Sequence, residues 1–144
     1  MKRLSFGLAL LLTLFVSPQI KGQDLSDYRW EKRLVVLLAD DEAQPYLEEQ
    51  IKAFKTYPEG LEERKLQVIT VKPNAFRIGI EKQAWKPGGF LYKRYRQQGS
   101  FAFILIGLDG GEKLRRQEVM PLKELYRIID SMPMRAAEMR RKNN

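Results

Sequence analysis

The residues best suited to chemistry in this sequence are cations set among aromatics. Lys82, Lys86, Lys93, Arg94 and Arg96 are interleaved with Trp85, Phe90, Tyr92 and Tyr95. Cations hold anionic groups and aromatic faces stack on flat rings, so the composition suits single-stranded nucleic acid, acidic glycans or anionic lipid surfaces. It equally suits aromatics packed beneath a solvated charged face. A second basic group, Arg140, Arg141 and Lys142, lies near the C-terminus. From Arg77 to Arg96 six basic residues face one acid, Glu81, for a net +5, and the stretch from Arg135 onward carries +3. Beyond residue 22 the chain as a whole carries +5, so everything outside these two segments is mildly acidic. Two local basic segments point to an anionic partner more directly than an overall pI does.

Other chemistry is narrower. Asp40, Asp41 and Glu42 could coordinate a hard cation such as calcium, but no EF-hand spacing supports it, and carboxylates here also cap a helix and complement its dipole. Met120, Met132, Met134 and Met139 offer soft ligands for Cu(I), or simply pack a helix terminus against a core. The 144 residues include no cysteine and no histidine. That removes disulfide scaffolds, thiolate catalysis and metal sites, lipid attachment on cysteine, Ser-His-Asp triads and the usual neutral-pH base. No catalytic residue, metal or cofactor is expected. An enzyme built from Asp, Glu, Arg or Tyr stays as an alternative, with no motif tying two carboxylates together.

The N-terminus has the layout of a secretory signal. Met1-Lys2-Arg3 is positive, Leu4 to Val16 is an uncharged stretch of 13 residues, and Ser17-Pro18-Gln19 and Gly22 follow. The apolar run is shorter than the ~20 residues a membrane span requires. Cleavage is expected after Gly22, exposing Gln23; Ser17 is a second possible point, and an uncleaved anchor the alternative. The expected organisation is a signal peptide at 1–22, one domain at 23–134 and a basic tail at 135–144, exported to the periplasm or beyond, with no span in the mature chain.

The elements that must position these residues follow from apolar patterning. Leu34 to Ala39, Leu66 to Val71 and Phe101 to Ile106 are continuous apolar runs of strand length, the pattern of strands buried on both faces. Pro45, Leu47, Ile51 and Phe54 predict a helix over 43–56, ended by Pro58 and Gly60. The stretch 74–88 reads as irregular, with Pro87-Gly88-Gly89 as punctuation. Phe90 to Gln97 predicts a short helix turning Phe90 and Leu91 to the sheet and Lys93 and Arg96 outward. Asp109-Gly110-Gly111 predicts a hairpin into an edge strand, Glu112 to Arg116. A last helix opens at Pro121, although Met120 is a poor cap, and Pro133 ends it. Parallel βαβ followed by a β-hairpin and a helix is the thioredoxin layout: an α/β fold with a central mixed four-stranded sheet flanked by helices. In thioredoxins the end of the first strand carries reactive cysteines; here Asp40 to Pro45 stand there, and Gly99-Ser100 replaces the proline before the third strand.

Three motifs carry a further resemblance. Tyr28-Arg29-Trp30, then Gly107-Leu108-Asp109-Gly110-Gly111 with Lys113, and finally Met132-Pro133-Met134-Arg135 with Glu138, resemble a secreted thioredoxin-like, peroxiredoxin-like domain family of unknown function. Related domains occur in vertebrate sushi-repeat-containing proteins and in a matrix protein named for a coiled coil. The resemblance spans about residues 25–141. It implies the fold and no established activity; the adhesion or matrix roles of vertebrate members come with attached domains and are not carried over. Trp30, just before a buried strand, is expected to anchor the core, with Arg29 solvated or paired. The expected function is a non-redox binding or interaction module in the envelope or outside the cell. Its partner is an unidentified protein or anionic molecule, and nucleic acid is not expected. A polyanion-binding protein using Lys82, Lys86, Lys93, Arg94, Arg96, Arg140, Arg141 and Lys142 is the alternative.

Overall fold

A computed structural model describes residues 24–143. The segment 1–22, read above as a signal peptide, lies outside the described residues. A 3-10 turn, Leu25–Tyr28, leads into β1 (Arg33–Ala39), then α1 (Gln44–Thr56), α2 (Glu59–Glu63) and β2 (Leu66–Lys72). β3 (Ala75–Ile78), β4 (Lys86–Pro87), α3 (Phe90–Tyr95), β5 (Phe101–Ile106), β6 (Glu112–Arg116), α4 (Leu122–Asp130) and α5 (Pro133–Lys142) follow. One sheet runs β4-β3-β2-β1-β5-β6. Only β1 and β2 are parallel; β5 returns antiparallel to β1, with Leu37 opposite Phe103.

The apolar runs form the centre of the sheet because both of its faces are covered. Side chains alternate across a strand. Val35, Leu37, Phe103 and Leu105 face α1 and α4, packing with Leu47, Phe54, Leu125 and Ile129. Leu34, Val36, Ile69 and Ile104 face the other way, beneath Leu91 of α3 and the partly buried Tyr28, Tyr92 and Tyr95.

The sheet has six strands rather than four. Pro73-Asn74 turns the chain so tightly that Lys72 pairs with Ala75, and the stretch 74–88 is not irregular throughout but contains β3 and β4. Pro58 and Gly60 do not simply end a helix: Pro58 flanks α2, and Gly60 is buried where a Cβ would lie 2.5 Å from the Tyr126 ring. Pro133 likewise opens α5, in the first turn, where its missing N–H costs nothing. Met120 is not at a cap at all. It is buried, and its backbone N–H and C=O are both bound by the buried Gln50 side chain, at 2.7 and 3.1 Å.

Candidate functional site

The motif residues converge at the entry to β1. After the 3-10 turn, the Glu31 and Lys32 N–H groups donate to the Tyr28 carbonyl, and Trp30 takes a left-handed conformation, φ +68°. That place at a helix end usually holds glycine. The Trp30 N–H donates to the Leu108 carbonyl at 2.7 Å, which ties this turn to the β5–β6 hairpin. In the hairpin Gly110 has φ +81°, the Asp109 carboxylate accepts from Gly111 N–H at 3.0 Å, and it pairs with Lys113 at 2.7 Å. A Cβ on Gly107 would collide with the Lys113 side chain, so the glycine keeps that ion pair close.

Trp30 is not a core anchor. It is 57% exposed, because the left-handed turn swings it away from the sheet. The Arg29 guanidinium lies 5.3 Å from the Trp30 ring centre, and the Arg29 stem runs beside Gly110. Tyr28 supplies the core contact instead.

Between the 3-10 turn, the hairpin and the end of α3 lies a cleft of about 170 Å³, edged by Arg29, Lys32, Arg94, Tyr28, Asp24 and Asp109. Asp109 is paired with Lys113, whose ammonium, then the Gly111 N–H, holds its carboxyl below the usual range; hydrogen bonding to Ser26, with the Arg94 charge adding, does the same for Asp24. Burial pushes the Tyr28 phenol up, with Asp27 adding, so it stays protonated and able to donate. Among the described residues, Arg29, Lys32 and Arg94 make no side-chain hydrogen bond or ion pair.

The predicted basic stretch is divided by the sheet. Lys93, Arg94 and Arg96 are exposed on or just after α3, with Arg94 reaching the cleft. Lys86 lies on the edge strand β4, and Lys82 borders a separate groove beside α1. Trp85 lies near Lys72 and Arg77, at 5.3 and 4.8 Å from its ring centre. Phe90 does not face the sheet. In so short a helix the inward set is Leu91, Tyr92 and Tyr95, and Phe90 is 53% exposed. Arg140, Arg141 and Lys142 are exposed in the last turn of α5, where they complement its dipole.

A second constellation was half legible in the sequence: Arg135 and Glu138 stand in the third motif, whereas Arg33 and Arg64 stand in none. Arg33, Arg64 and Arg135 are all buried at the base of the sheet. Arg33 pairs with both Glu138 oxygens at 3.3 Å and donates to the Arg64 carbonyl at 3.0 Å. Arg64 meets Asp130 at 2.6 Å and lies 4.1 Å from the Tyr126 ring centre. Arg135 binds Asp130 at 3.1 Å, and the Glu63 carboxylate and carbonyl at 2.9 Å each. Burial alone would lower the Arg135 pKa, but hydrogen bonds to Asp130 and Glu138 outweigh it and raise it. Here the Met-Pro-Met-Arg motif finds its physical reason: Pro133 starts the helix that delivers Arg135 and Glu138 to the base. Met132 packs on the core, whereas Met134 is exposed, so the two methionines do not act together.

At the end of β1, Asp40 accepts from Ala43 N–H at 3.1 Å, and its own N–H donates to the Ser100 carbonyl. Asp41 is fully exposed, 3.8 Å from Lys72. Among the described residues no three Asp or Glu side chains gather as a metal site, and no helix is long and apolar enough to cross a membrane.

The fold is similar to that of the mitochondrial 2-Cys peroxiredoxin from Plasmodium falciparum: TM-score 0.52, 14% identity, covering 75% of this chain and 79% of that one. This likeness concerns the fold alone, which is thioredoxin-like. No curated protein matches. The pattern of a family described as Domain of unknown function (DUF4174) matches residues 24–138, nearly the whole described chain, and the protein belongs to that family.

Proposed function

We propose that the protein is an exported, non-redox binding module that takes an anionic partner on the α3 side of its sheet. One observation carries this reading. The molecule uses its cations in contrasting ways: Arg33, Arg64 and Arg135 at the base are buried and each is bound to a carboxylate, while Arg29 and Arg94, with Lys32, Lys93 and Arg96, are exposed on the α3 side and hold no ion pair among the described residues. A fold that pairs its cations wherever it needs them structurally leaves this group available. With no thiol in the chain, the peroxiredoxin-like framework acts as a scaffold, since a thiolate is the nucleophile of that chemistry. The partner is an anionic molecule of the envelope or the cell exterior, in keeping with the signal-like N-terminus.

Retention of the exported, processed protein on a heparin column tests the reading. The variant Lys93→Glu, Arg94→Glu, Arg96→Glu, folded by circular dichroism, is expected to elute at lower salt, because such binding is driven by counterion release. Equal elution would return these residues to ordinary solvated surface.

A further inference from the structure

We infer that the cleft beside the β5–β6 hairpin, joined through its lining residue Arg29 to the neighbouring Trp30, is a seat for one acidic sugar residue: a pyranose ring stacked on the Trp30 indole, with its carboxylate or sulfate held by Arg29, Lys32 and Arg94. This rests on the anionic reading above and goes further by naming the site and the ligand class. Three observations support it independently. The cleft, about 170 Å³, suits a small anionic group rather than a whole polymer chain. Arg29, Lys32 and Arg94 make no side-chain hydrogen bond or ion pair among the described residues; Asp109 is paired with Lys113, and the Asp24 carboxylate, which feels the Arg94 charge, offsets only one of the three cations. The third is Trp30 itself.

A bulky residue at φ +68° is strained, and such strain persists where surroundings enforce it, typically at ligand sites. Trp30 gains no core burial in return, being 57% exposed. Glycine would fit that turn without strain. The turn instead presents the largest flat side chain to solvent, with the Arg29 guanidinium 5.3 Å from its ring centre. A flat ring that Arg29 meets on one face and that is otherwise exposed, beside cations without ion pairs among the described residues, matches a ligand with a stacking face and a negative substituent. The Tyr28 phenol, kept protonated by burial, can donate to the same ligand.

Trp30 and Trp85 are the only tryptophans, so a Trp85→Phe variant makes fluorescence report Trp30 alone. The processed protein in that form is titrated with oligogalacturonate, with a sulfated oligosaccharide and with neutral dextran. One or both acidic sugars should change the Trp30 emission and neutral dextran should not; the stronger of the two identifies the substituent. Trp30→Gly and Arg29→Ala, followed by calorimetry, should each weaken binding by about tenfold or more. Trp30→Gly should at the same time raise the melting temperature, because strain is relieved. Silent Trp30 fluorescence with both acidic sugars, unchanged affinity in Trp30→Gly, or a lower melting temperature in that variant would each overturn the inference. If the wild-type protein is still retained on heparin, the anionic reading survives such a failure; if it is not retained, both fall.

Discussion

The base of the sheet and the hairpin cleft use the same side chain for opposite ends. At the base, Arg33 is 1% exposed and Arg135 4%, and each is held by carboxylates and main-chain carbonyls. At the cleft, Arg29 and Arg94 are exposed and hold no ion pair among the described residues; Asp109 is paired with Lys113, and Asp24 feels the Arg94 charge without forming an ion pair with it. A buried guanidinium without its partners is costly, so the base tolerates no vacancy, whereas an exposed one is easily spared from the fold. The difference separates residues that hold the fold from residues free to meet something else.

The largest effect should come from breaking the base. Arg33→Met removes both bonds to Glu138 and the donor to the Arg64 carbonyl. Urea denaturation should show a loss of about 3 kcal/mol, the low end for breaking a buried pair, because Arg135 still reaches Glu138 at 3.5 Å. The double variant Arg33→Met, Glu138→Leu should recover much of that loss, because Arg135 keeps Asp130 and Glu63. Failure to recover would mean that the pair does more than balance charge.

A smaller effect belongs to Tyr126, whose ring lies beside Arg64. Its hydroxyl donates to the Tyr57 carbonyl at 3.1 Å, and Tyr126→Phe should cost about 1 kcal/mol at neutral pH. Burial pushes the Tyr126 phenol up to about 12, with the Arg64 charge opposing. A folded-state pKa above the ordinary value near 10 means that the associated stability is intact below pH 10 and is lost as pH rises toward 12. Denaturation midpoints across pH 10–12 should therefore fall more steeply in the wild type than in Tyr126→Phe.

At the cleft side the expected effect on stability is smallest. Lys93→Glu, Arg94→Glu, Arg96→Glu should change the unfolding free energy by no more than about 0.5 kcal/mol per site, as at exposed positions in general. A large loss would show that α3 uses these charges for folding and would erase the contrast with the base.

The central strands were legible in the sequence because a strand buried on both faces is apolar throughout, as Leu34 to Ala39 and Phe101 to Ile106 are. The hairpin was legible because glycine accepts the positive φ seen at Gly110. β3 was not, since Ala75-Phe76-Arg77-Ile78 buries only Phe76 fully and carries a charge. The base network was hidden for a more general reason: in sequence, a buried arginine looks like a solvated one, and Arg135 sits among the tail cations Arg140, Arg141 and Lys142. The hints were the third motif, which contains Arg135 and Glu138, and Arg33, directly ahead of an unbroken apolar run. Trp30 misled in the opposite direction. Its size argued for burial, whereas the turn's hydrogen bonds to Tyr28 and Leu108 settle its direction.

The most direct test of the division between structural and available cations is the salt dependence of heparin affinity, measured for the wild-type protein and for the Lys93→Glu, Arg94→Glu, Arg96→Glu variant. The wild type should bind with an affinity that falls steeply as salt rises, and the variant should bind more weakly with a shallower slope, having fewer counterions to displace. Identical slopes and affinities for the two proteins would contradict the account.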